Sequence, residues 1–139
     1  MKRLVLASAS PRRRALLAAL GLDFDVVTSG APEIDDGLPP EQLVVANACA
    51  KRDEVARRLP DPSLVIAADT LVFLGDQTLS KPAGLDEACR MLARLSGRTH
   101  AVLTGLALVD TETGAAAQGV ERTDVTFRAL SDEEIAHFV

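Results

Sequence analysis

Apolar positions recur along this chain with two periods, one typical of strands and one typical of helices. Short apolar or alternating runs predict strands, and apolar positions three and four residues apart predict helices. The pattern predicts strands over residues 4–7, 24–28, 64–68, 71–74, 101–110 and 116–127, and helices over residues 11–20, 41–59, 86–95 and from 132 to the last residue. Residues 75–77 are interpreted as a turn between two strands, and residues 111–114 as the loop of a hairpin.

Capping residues support several of these helix boundaries. Ser10 is a suitable N-cap, because its hydroxyl can accept a hydrogen bond from a free amide of the first turn, and Pro11 suits the first helical position. Gly97 is a natural C-cap for the third helix. Ser131 and Glu134 form a capping box that opens the last helix.

The composition is that of an ordinary globular domain. The 139 residues are 47% apolar and 25% charged, which fits one domain, residues 1–139, with a sizeable core. The net charge of -5 and the absence of Trp and Tyr argue against binding to nucleic acid. No apolar run approaches the length of a transmembrane helix, so no membrane partner is expected and the expected location is cytoplasmic. Cys49 and Cys89 show no metal-ligand spacing and are interpreted as small buried residues.

A basic turn lies between the first strand and the first helix. Arg12, Arg13 and Arg14 follow Ser10 and Pro11 at a helix N-terminus, where the helix dipole disfavours cations. Cations beside free amides are explained if an anion such as phosphate binds there. The alternative is a solvated basic turn without a ligand.

Asp69 gives the strongest single-residue signal. It directly follows the apolar run 64–68, which predicts a buried central strand. A carboxylate at the end of such a strand is costly unless it is paired, hydrogen-bonded or bound to a metal. Ligands commonly bind at the carboxyl ends of strands in open α/β sheets. A structural ion pair or hydrogen bond is the alternative.

An acidic loop over residues 29–37 carries Glu33, Asp35 and Asp36. Three carboxylates within four residues are a candidate site for a hard cation such as Mg²⁺, although such runs are usually solvated loops. Lys81 falls in a later loop that faces the same region as Asp69. Lys51 lies in the second helix, and its position alone supports no role.

His100 follows the third helix, where a terminal cap or a surface position is favoured over catalysis. The cations and carboxylates together suit a polyphosphate with a divalent ion, because the ion and the cations offset phosphate charge while a carboxylate orients or deprotonates water. No Walker A sequence and no nucleophile elbow occur. The cations of this set are Arg12, Arg13, Lys51 and Lys81, and its carboxylates are Glu33, Asp35, Asp36 and Asp69.

The motifs that carry these residues resemble those of a known family. In chain order they read Leu-Ala-Ser-Ala-Ser-Pro-Arg-Arg (residues 6–13), Ala-Lys (50–51), Ala-Asp-Thr (68–70), Lys-Pro (81–82), Leu-Ser-Gly-Arg-Thr-His (95–100), Thr-Gly (104–105), Thr-Phe-Arg (126–128) and Glu-Ile (134–135). With these motifs in register over its whole length, the chain resembles the Maf family of nucleoside triphosphate pyrophosphatases, also called septum-formation inhibitor proteins.

The resemblance implies an α/β fold with a mixed, twisted sheet and flanking helices, in two lobes around a cleft, related to the inosine triphosphatase architecture. It implies cleavage of a nucleoside triphosphate between the α and β phosphates, which releases a nucleoside monophosphate and pyrophosphate. It also implies a divalent metal cofactor, usually Mg²⁺ with Mn²⁺ or Co²⁺ as alternatives, and often a homodimer. The Ser-Pro-Arg-Arg motif with Thr70 resembles the subgroup that prefers dTTP and UTP.

Roles for individual residues also follow from the resemblance alone. Asp69 is implied to be the catalytic residue, as the proton acceptor or a metal-linked base. The residues implied to bind the substrate are Ser8, Ser10, Arg12, Arg13, Lys51, Thr70 and Lys81. The residues implied to hold the metal are Asp69, Asp36 and Glu33.

Two features differ from the family pattern. Asp35-Asp36 stands where the family usually has Asp-Glu, so that Asp36 or Glu33 is the expected metal ligand of the loop. The family's Lys-Ala-Gly-x-Tyr-x-x-Gln-Gly segment, whose Gln helps to select the base, does not occur in this sequence. The expectation is a C-terminally truncated chain, either a fragment or a shortened member. The alternative function for such a chain is a non-catalytic nucleotide-binding or cell-division (septum) regulatory protein.

Overall fold

Single strands or strand pairs are followed by helices along the chain in the computed structural model. It describes residues 2–34, 37–75, 77–79 and 82–138, except for the side chain of Phe138. The elements are β1 (Arg3–Leu6), α1 (Pro11–Ala19), β2 (Asp25–Val26), α2 (Pro40–Arg58), β3 (Ser63–Leu74), β4 (Gln77–Leu79), α3 (Leu85–Leu95), β5 (Thr99–Asp110), β6 (Ala116–Thr126) and α4 (Asp132–Phe138). Each described helix begins and ends within one residue of its predicted bounds.

The strands form one mixed sheet in the order β2-β1-β3-β5-β6, with β4 paired to β3. β1 is parallel to both of its neighbours, with Leu6 opposite Val26 on one side and Ile66 on the other. β4 runs antiparallel to β3, and Gly75 in the turn before it has φ +63°. Asp76, also assigned to that turn, lies outside the described residues. The fold is therefore α/β with a mixed sheet and flanking helices, as expected.

The chain divides into two compact units, residues 1–69 with 104–121 and residues 70–103 with 122–139. The first unit contains the predicted basic turn, the acidic loop and Asp69. The second contains α3 and α4. Among the described residues, no helix is both long and apolar enough to cross a membrane.

The core of the first unit forms where α2 covers β1 and β3. Val5 lies in β1 and Ala7 directly follows that strand, and Val65 and Ala67 alternate along β3, so that these four side chains share one face of the sheet. Val55 of α2 packs onto the same cluster, and all five residues have an exposed fraction of 0%. The central position predicted for residues 64–68 is thereby confirmed.

Gly105 lets β5 approach α2 closely. A Cβ atom at this position would lie 2.2 Å from the carbonyl oxygen of Val44 and 2.4 Å from its carbonyl carbon. These are backbone atoms of a buried helix, so they cannot be displaced without moving the helix itself. The Thr-Gly motif at residues 104–105 therefore has a packing reason.

We expect Gly105→Ala to lower the free energy of unfolding by about 1–3 kcal/mol, because the added methyl group overpacks the contact between β5 and α2. Urea unfolding followed by circular dichroism measures the change. Gly119→Ala is the matched control on β6, because a Cβ there meets no atom within 4 Å and should cost little. Equal stability of the two variants would contradict this packing explanation.

The N-terminal capping predictions are confirmed where the structure describes them. The Ser10 hydroxyl accepts a hydrogen bond from the amide of Arg13 at 3.3 Å. In the second unit, Ser131 and Glu134 bond to each other's backbone amides, each at 3.2 Å, which is the reciprocal pattern of a capping box. The C-cap of α3 is Ser96, one residue before the predicted Gly97, and Gly97 follows it with φ +66°, the left-handed conformation that is common just after a helix.

Several sequence-based predictions are corrected. The strand predicted over residues 24–28 spans only Asp25–Val26, and the last hydrogen bond to β1 runs from the amide of Val27 to the carbonyl of Leu6 at 3.0 Å. Asp69 does not end a strand but lies within the twelve-residue β3. His100 is neither a cap nor a surface residue: it is 6% exposed in β5, where it packs edge-to-face on Phe127 with ring centroids 5.0 Å apart. The cysteines are free, as expected, but half-buried.

Candidate active site

The turn that opens α1 is held together by its own serines. The Ser8 hydroxyl, which is buried, accepts from the amide of Ser10 at 3.0 Å. The Ser10 hydroxyl accepts from the amide of Arg13, as described above. A hydroxyl that accepts one hydrogen bond still has its proton to donate. Two donors are therefore fixed at the N-terminus of a helix, where an anion is favoured.

Arg13 connects this turn to β3. Its guanidinium is half-buried, and Nη1 donates to the carbonyl oxygen of Ala68 at 3.3 Å. Burial lowers the pKa of Arg13 from its usual value, the Asp69 carboxylate opposes that effect, and the charge of Arg12 adds to it. Arginine remains protonated in spite of such shifts. The repulsion between the two neighbouring guanidinium groups is an electrostatic cost that a bound anion relieves.

Asp69 is buried, with an exposed fraction of 4%, and each of its oxygens has a donor. Oδ2 accepts from Nδ2 of Asn47 at 3.0 Å, and Oδ1 accepts from Nζ of Lys51 at 3.2 Å. Asn47 and Lys51 are four residues apart on α2 and therefore lie on the same side of that helix. These partners explain how an aspartate is accommodated inside a buried strand.

The position of Asp69 also depends on the length of its neighbouring strand. The pairing between β1 and β3 ends where Leu6 lies opposite Ile66. Asp69 follows three residues later, beyond the carboxyl end of the parallel strand β1. Asp69 therefore lies near the carboxyl end of β1, whereas its own strand β3 continues beyond it.

The first part of the acidic loop is attached to the same face of α2. Lys51 Nζ lies 3.4 Å from Oε1 of Glu33, so that its ammonium group lies within 4 Å of two carboxylates. Asn47 bonds to the backbone of Ile34 in both directions, accepting from its amide at 2.7 Å and donating to its carbonyl at 2.9 Å. One turn of α2 thus holds both Asp69 and the loop.

A cavity of about 260 Å³ opens beside these residues in the first unit. The residues that line it are Ala7, Ser8, Ala9, Ser10, Arg13, Thr28, Ser29, Ala31, Glu33 and Lys51. Two cations, hydroxyl groups and the backbone of a helix N-terminus make this lining suitable for phosphate oxygens. Lys51 connects the cavity to Asp69.

The structure brings six of the predicted site residues together in the first unit. They are Ser8, Ser10, Arg13, Glu33, Lys51 and Asp69. Arg12 is exposed on the first turn of α1. Thr70 is exposed in β3, and because strand residues alternate, its side chain is on the opposite face from Asp69. Asp35, Asp36 and Lys81 lie outside the described residues.

Sequence reasoning missed Asn47. It lies in an apolar stretch of α2 and has an exposed fraction of 2%, so that nothing in its type or spacing marked it beforehand. The available signal was a polar amide on the buried stripe of the helix, four residues before Lys51. A buried amide needs partners for its two donor hydrogens and its oxygen, which is a reason to look for them.

The ligand set expected for a metal is only partly described. Within the described ranges, no group of three or more His, Cys, Asp or Glu side chains could hold a metal ion. Glu33 and Asp69 are two carboxylates that both contact one ammonium group. Their oxygen chemistry suits a hard cation such as Mg²⁺, and Lys51 shows that a positive charge is already favoured between them.

Comparison with known proteins establishes the family. The model of the family described as Maf-like protein matches residues 3–139. The chain belongs to the Maf family. Among Maf relatives, the dTTP/UTP pyrophosphatase of Moorella thermoacetica is 49% identical over 140 residues, which is 100% of this chain and 72% of that protein. The dTTP/UTP pyrophosphatase of Gloeobacter violaceus is 45% identical over 99% of this chain and 71% of its own length.

Solved structures support the fold. A HAM1 protein from Coxiella burnetii has a TM-score of 0.62 at 18% identity, covering 89% of this chain and 72% of that one. The Staphylococcus aureus Ham1 protein has a TM-score of 0.59 at 13% identity, covering 94% of this chain and 73% of that one. At these identities the likeness concerns the fold, which this Maf chain shares with both proteins.

Proposed function

We propose that this Maf protein is a nucleoside triphosphate pyrophosphatase that acts on dTTP and UTP and releases the nucleoside monophosphate and pyrophosphate. One observation carries the proposal: Lys51 lines a polar cavity at the serine-arginine turn and also contacts the buried carboxylate of Asp69. A phosphate-binding surface and a candidate base therefore share one side chain. The choice of dTTP and UTP rests on the names of the relatives given above.

The triphosphate is held by the cations and hydroxyl donors of the turn. Arg13 and Lys51 line the cavity, and Ser8 and Ser10 supply hydroxyl protons beside the N-terminus of α1. Guanidinium and ammonium groups form charge-assisted hydrogen bonds with phosphate oxygens. Arg12, from the exposed side of the same turn, adds positive charge. Thr70 and Lys81 complete the proposed substrate set.

Asp69 is the proposed catalytic residue. When Lys51 turns its ammonium toward a phosphate, Oδ1 of Asp69 is free to accept a proton from water. The water oxygen then bonds to the α-phosphorus, and the bond from the α-phosphorus to the oxygen that bridges to the β-phosphorus breaks. The proton of the water goes to Asp69, and pyrophosphate leaves. Positioning and charge stabilisation supply most of the catalysis in phosphoryl transfer.

A divalent cation, Mg²⁺ or alternatively Mn²⁺ or Co²⁺, is part of the proposal. Asp69 and Glu33 would hold it, together with Asp36. When bound, such an ion offsets the charge of the phosphates and polarises the α-phosphorus. The support from the described residues is the pair of carboxylates on either side of Lys51.

The proposal also covers location and assembly. We propose a cytoplasmic homodimer that does not bind nucleic acid. The net charge of -5 supports the last point, because a surface of that charge repels a phosphate backbone.

Product analysis tests the proposed function. We expect the purified protein with Mg²⁺ to convert dTTP and UTP into the monophosphate and pyrophosphate, measured by ion-exchange chromatography and by phosphate release with and without added inorganic pyrophosphatase. ATP and GTP are the matched controls for base selection. Release of orthophosphate alone would contradict cleavage between the α and β phosphates. Tight binding without turnover would instead support the regulatory alternative.

A further inference from the structure

Asn47 uses all of its hydrogen-bonding groups within the candidate site. Its exposed fraction is 2%. Nδ2 donates to Oδ2 of Asp69 at 3.0 Å and to the carbonyl of Ile34 at 2.9 Å, and Oδ1 accepts from the amide of Ile34 at 2.7 Å. An amide group has two donor hydrogens, and both have partners here. The orientation of the amide is fixed as well, because the Ile34 amide can only donate and a carboxylate oxygen accepts.

The two partners of Asp69 differ in what they can do. Lys51 is long and flexible, is shared with Glu33 at 3.4 Å, and lines the cavity, so that a phosphate competes for it. Asn47 is short and buried and has no hydrogen left to offer a substrate. When Lys51 leaves Oδ1, the hydrogen bond from Asn47 to Oδ2 still fixes the plane of the carboxylate.

The same amide also holds the backbone of Ile34, which directly follows Glu33. That backbone is bonded to Asn47 in both directions. The orientation of Asp69 and the position of the Ile34 backbone therefore depend on one side chain. Asn47 thus relates the carboxylates of Glu33 and Asp69, which are far apart in the sequence, without a direct contact between the two.

We propose that Asn47 is a positioning residue of the pyrophosphatase reaction. It holds Asp69 in its reactive orientation and fixes the backbone next to Glu33. This inference rests on the proposed function, and it adds a residue that touches neither water nor nucleotide. Its effect is therefore on turnover rather than on substrate binding. Misplacement of a reacting group by about 1 Å can cost about 10²-fold in rate.

Two variants separate the contacts of Asn47. Asn47→Asp keeps the shape and an acceptor for the Ile34 amide but replaces the NH₂ group with a second carboxyl oxygen beside Asp69. Asn47→Leu keeps a similar volume and removes every hydrogen bond. We expect kcat for dTTP to fall by about 10²-fold in each, in line with the cost of misplacing a reacting group, while KM and the affinity for a non-hydrolysable α,β-imido analogue stay near wild type. Hydrogen exchange at the Ile34 amide should be faster in the leucine variant only.

Val55→Ala is the matched control. Val55 lies on the same helix, has an exposed fraction of 0% and belongs to the core cluster. Its truncation therefore weakens the packing of α2 without removing a hydrogen bond to Asp69. Thermal unfolding of all variants shows the loss of stability in each. Val55→Ala should keep kcat at temperatures where it is folded. An equal fall of kcat in Val55→Ala at matched stability, or normal kcat in both Asn47 variants when they are folded, would overturn the inference.

The outcomes also distinguish this inference from the proposed function. An active wild-type protein with normal turnover in both Asn47 variants overturns only the positioning role. A wild-type protein that cleaves no nucleotide between the α and β phosphates overturns the proposed function and the positioning role of Asn47 with it. A fall of kcat with unchanged KM, together with faster exchange at Ile34 in the leucine variant, supports both.

Discussion

Asp69→Asn should lower kcat for dTTP by about 10²–10⁴-fold, the range that a positioned base contributes. The substitution preserves the shape of the side chain and removes its ability to accept a proton. It also places an NH₂ group where Asn47 or Lys51 now donates, at 3.0 Å or 3.2 Å. Two donors then face each other in a buried site, so that some loss of stability accompanies the loss of rate.

Initial rates at saturating nucleotide, measured well below the melting temperature of the variant, isolate the chemical effect. Asp53→Asn is the control for the loss of one carboxylate, because Asp53 is on the exposed side of α2 and pairs with Arg52 at 2.9 Å. It should leave kcat unchanged. A rate for Asp69→Asn close to that of wild type would remove Asp69 from the role of base.

Local signals in the sequence predicted the first strand, the turn and α1 correctly. Ser10 and Pro11 define the start of the helix through contacts within three residues, and such contacts depend on little else. The capping box at Ser131 and Glu134 was predicted for the same reason. The apolar run before Asp69 predicted the central strand, because a continuous apolar run of only five residues is too short for a typical buried helix.

Features that depend on distant partners were not predictable in this way. Asp69 lies within β3 rather than at its end because Asn47 and Lys51, from a helix earlier in the chain, satisfy its oxygens. Lys51 gave no signal by itself, since a helical lysine is usually exposed. His100 was assigned to a cap or the surface from its place after a helix, whereas its burial depends on Phe127, which lies 27 positions later.

The candidate site was therefore predicted as a list of chemical groups but not as a geometry. The arginines and Asp69 were identified from unfavourable positions: the arginines are beside a helix N-terminus, and Asp69 follows a buried apolar run. How they are connected depends on α2, whose residues looked unremarkable in the sequence. The resemblance to the Maf family implied the role of each residue. The structure adds that Lys51 lines the cavity at the serine-arginine turn and also contacts Asp69.

Lys51→Met should affect stability and activity by separate routes. Methionine keeps an unbranched apolar chain and removes the ammonium group that lies 3.2 Å from Asp69 Oδ1. A hydrogen bond to a charged group contributes about 1.5–3 kcal/mol, so the free energy of unfolding should fall by about that amount. The control is Lys2→Met, which removes an exposed lysine paired with Asp110 at the surface and should change little.

The activity of Lys51→Met reports on the second role of the lysine. If Lys51 also binds a phosphate, kcat/KM for dTTP should fall by about 10–100-fold, which corresponds to the loss of one charge-assisted hydrogen bond. The double variant Lys51→Met with Asp69→Asn separates the role of Lys51 as the ionic partner of Asp69 from its role in binding phosphate. Removing both charges should restore much of the stability lost in Lys51→Met, because no buried carboxylate is left without its cation.

Nucleotide affinity should not recover in that double variant, because the ammonium group that meets the phosphate is still absent. Binding of the α,β-imido analogue, measured by calorimetry, gives this result without dependence on turnover. Recovery of affinity together with stability would show that Lys51 acts only as the structural partner of Asp69. Affinity that stays low while stability recovers would show that the lysine binds the triphosphate, as its place in the cavity beside Arg13 predicts.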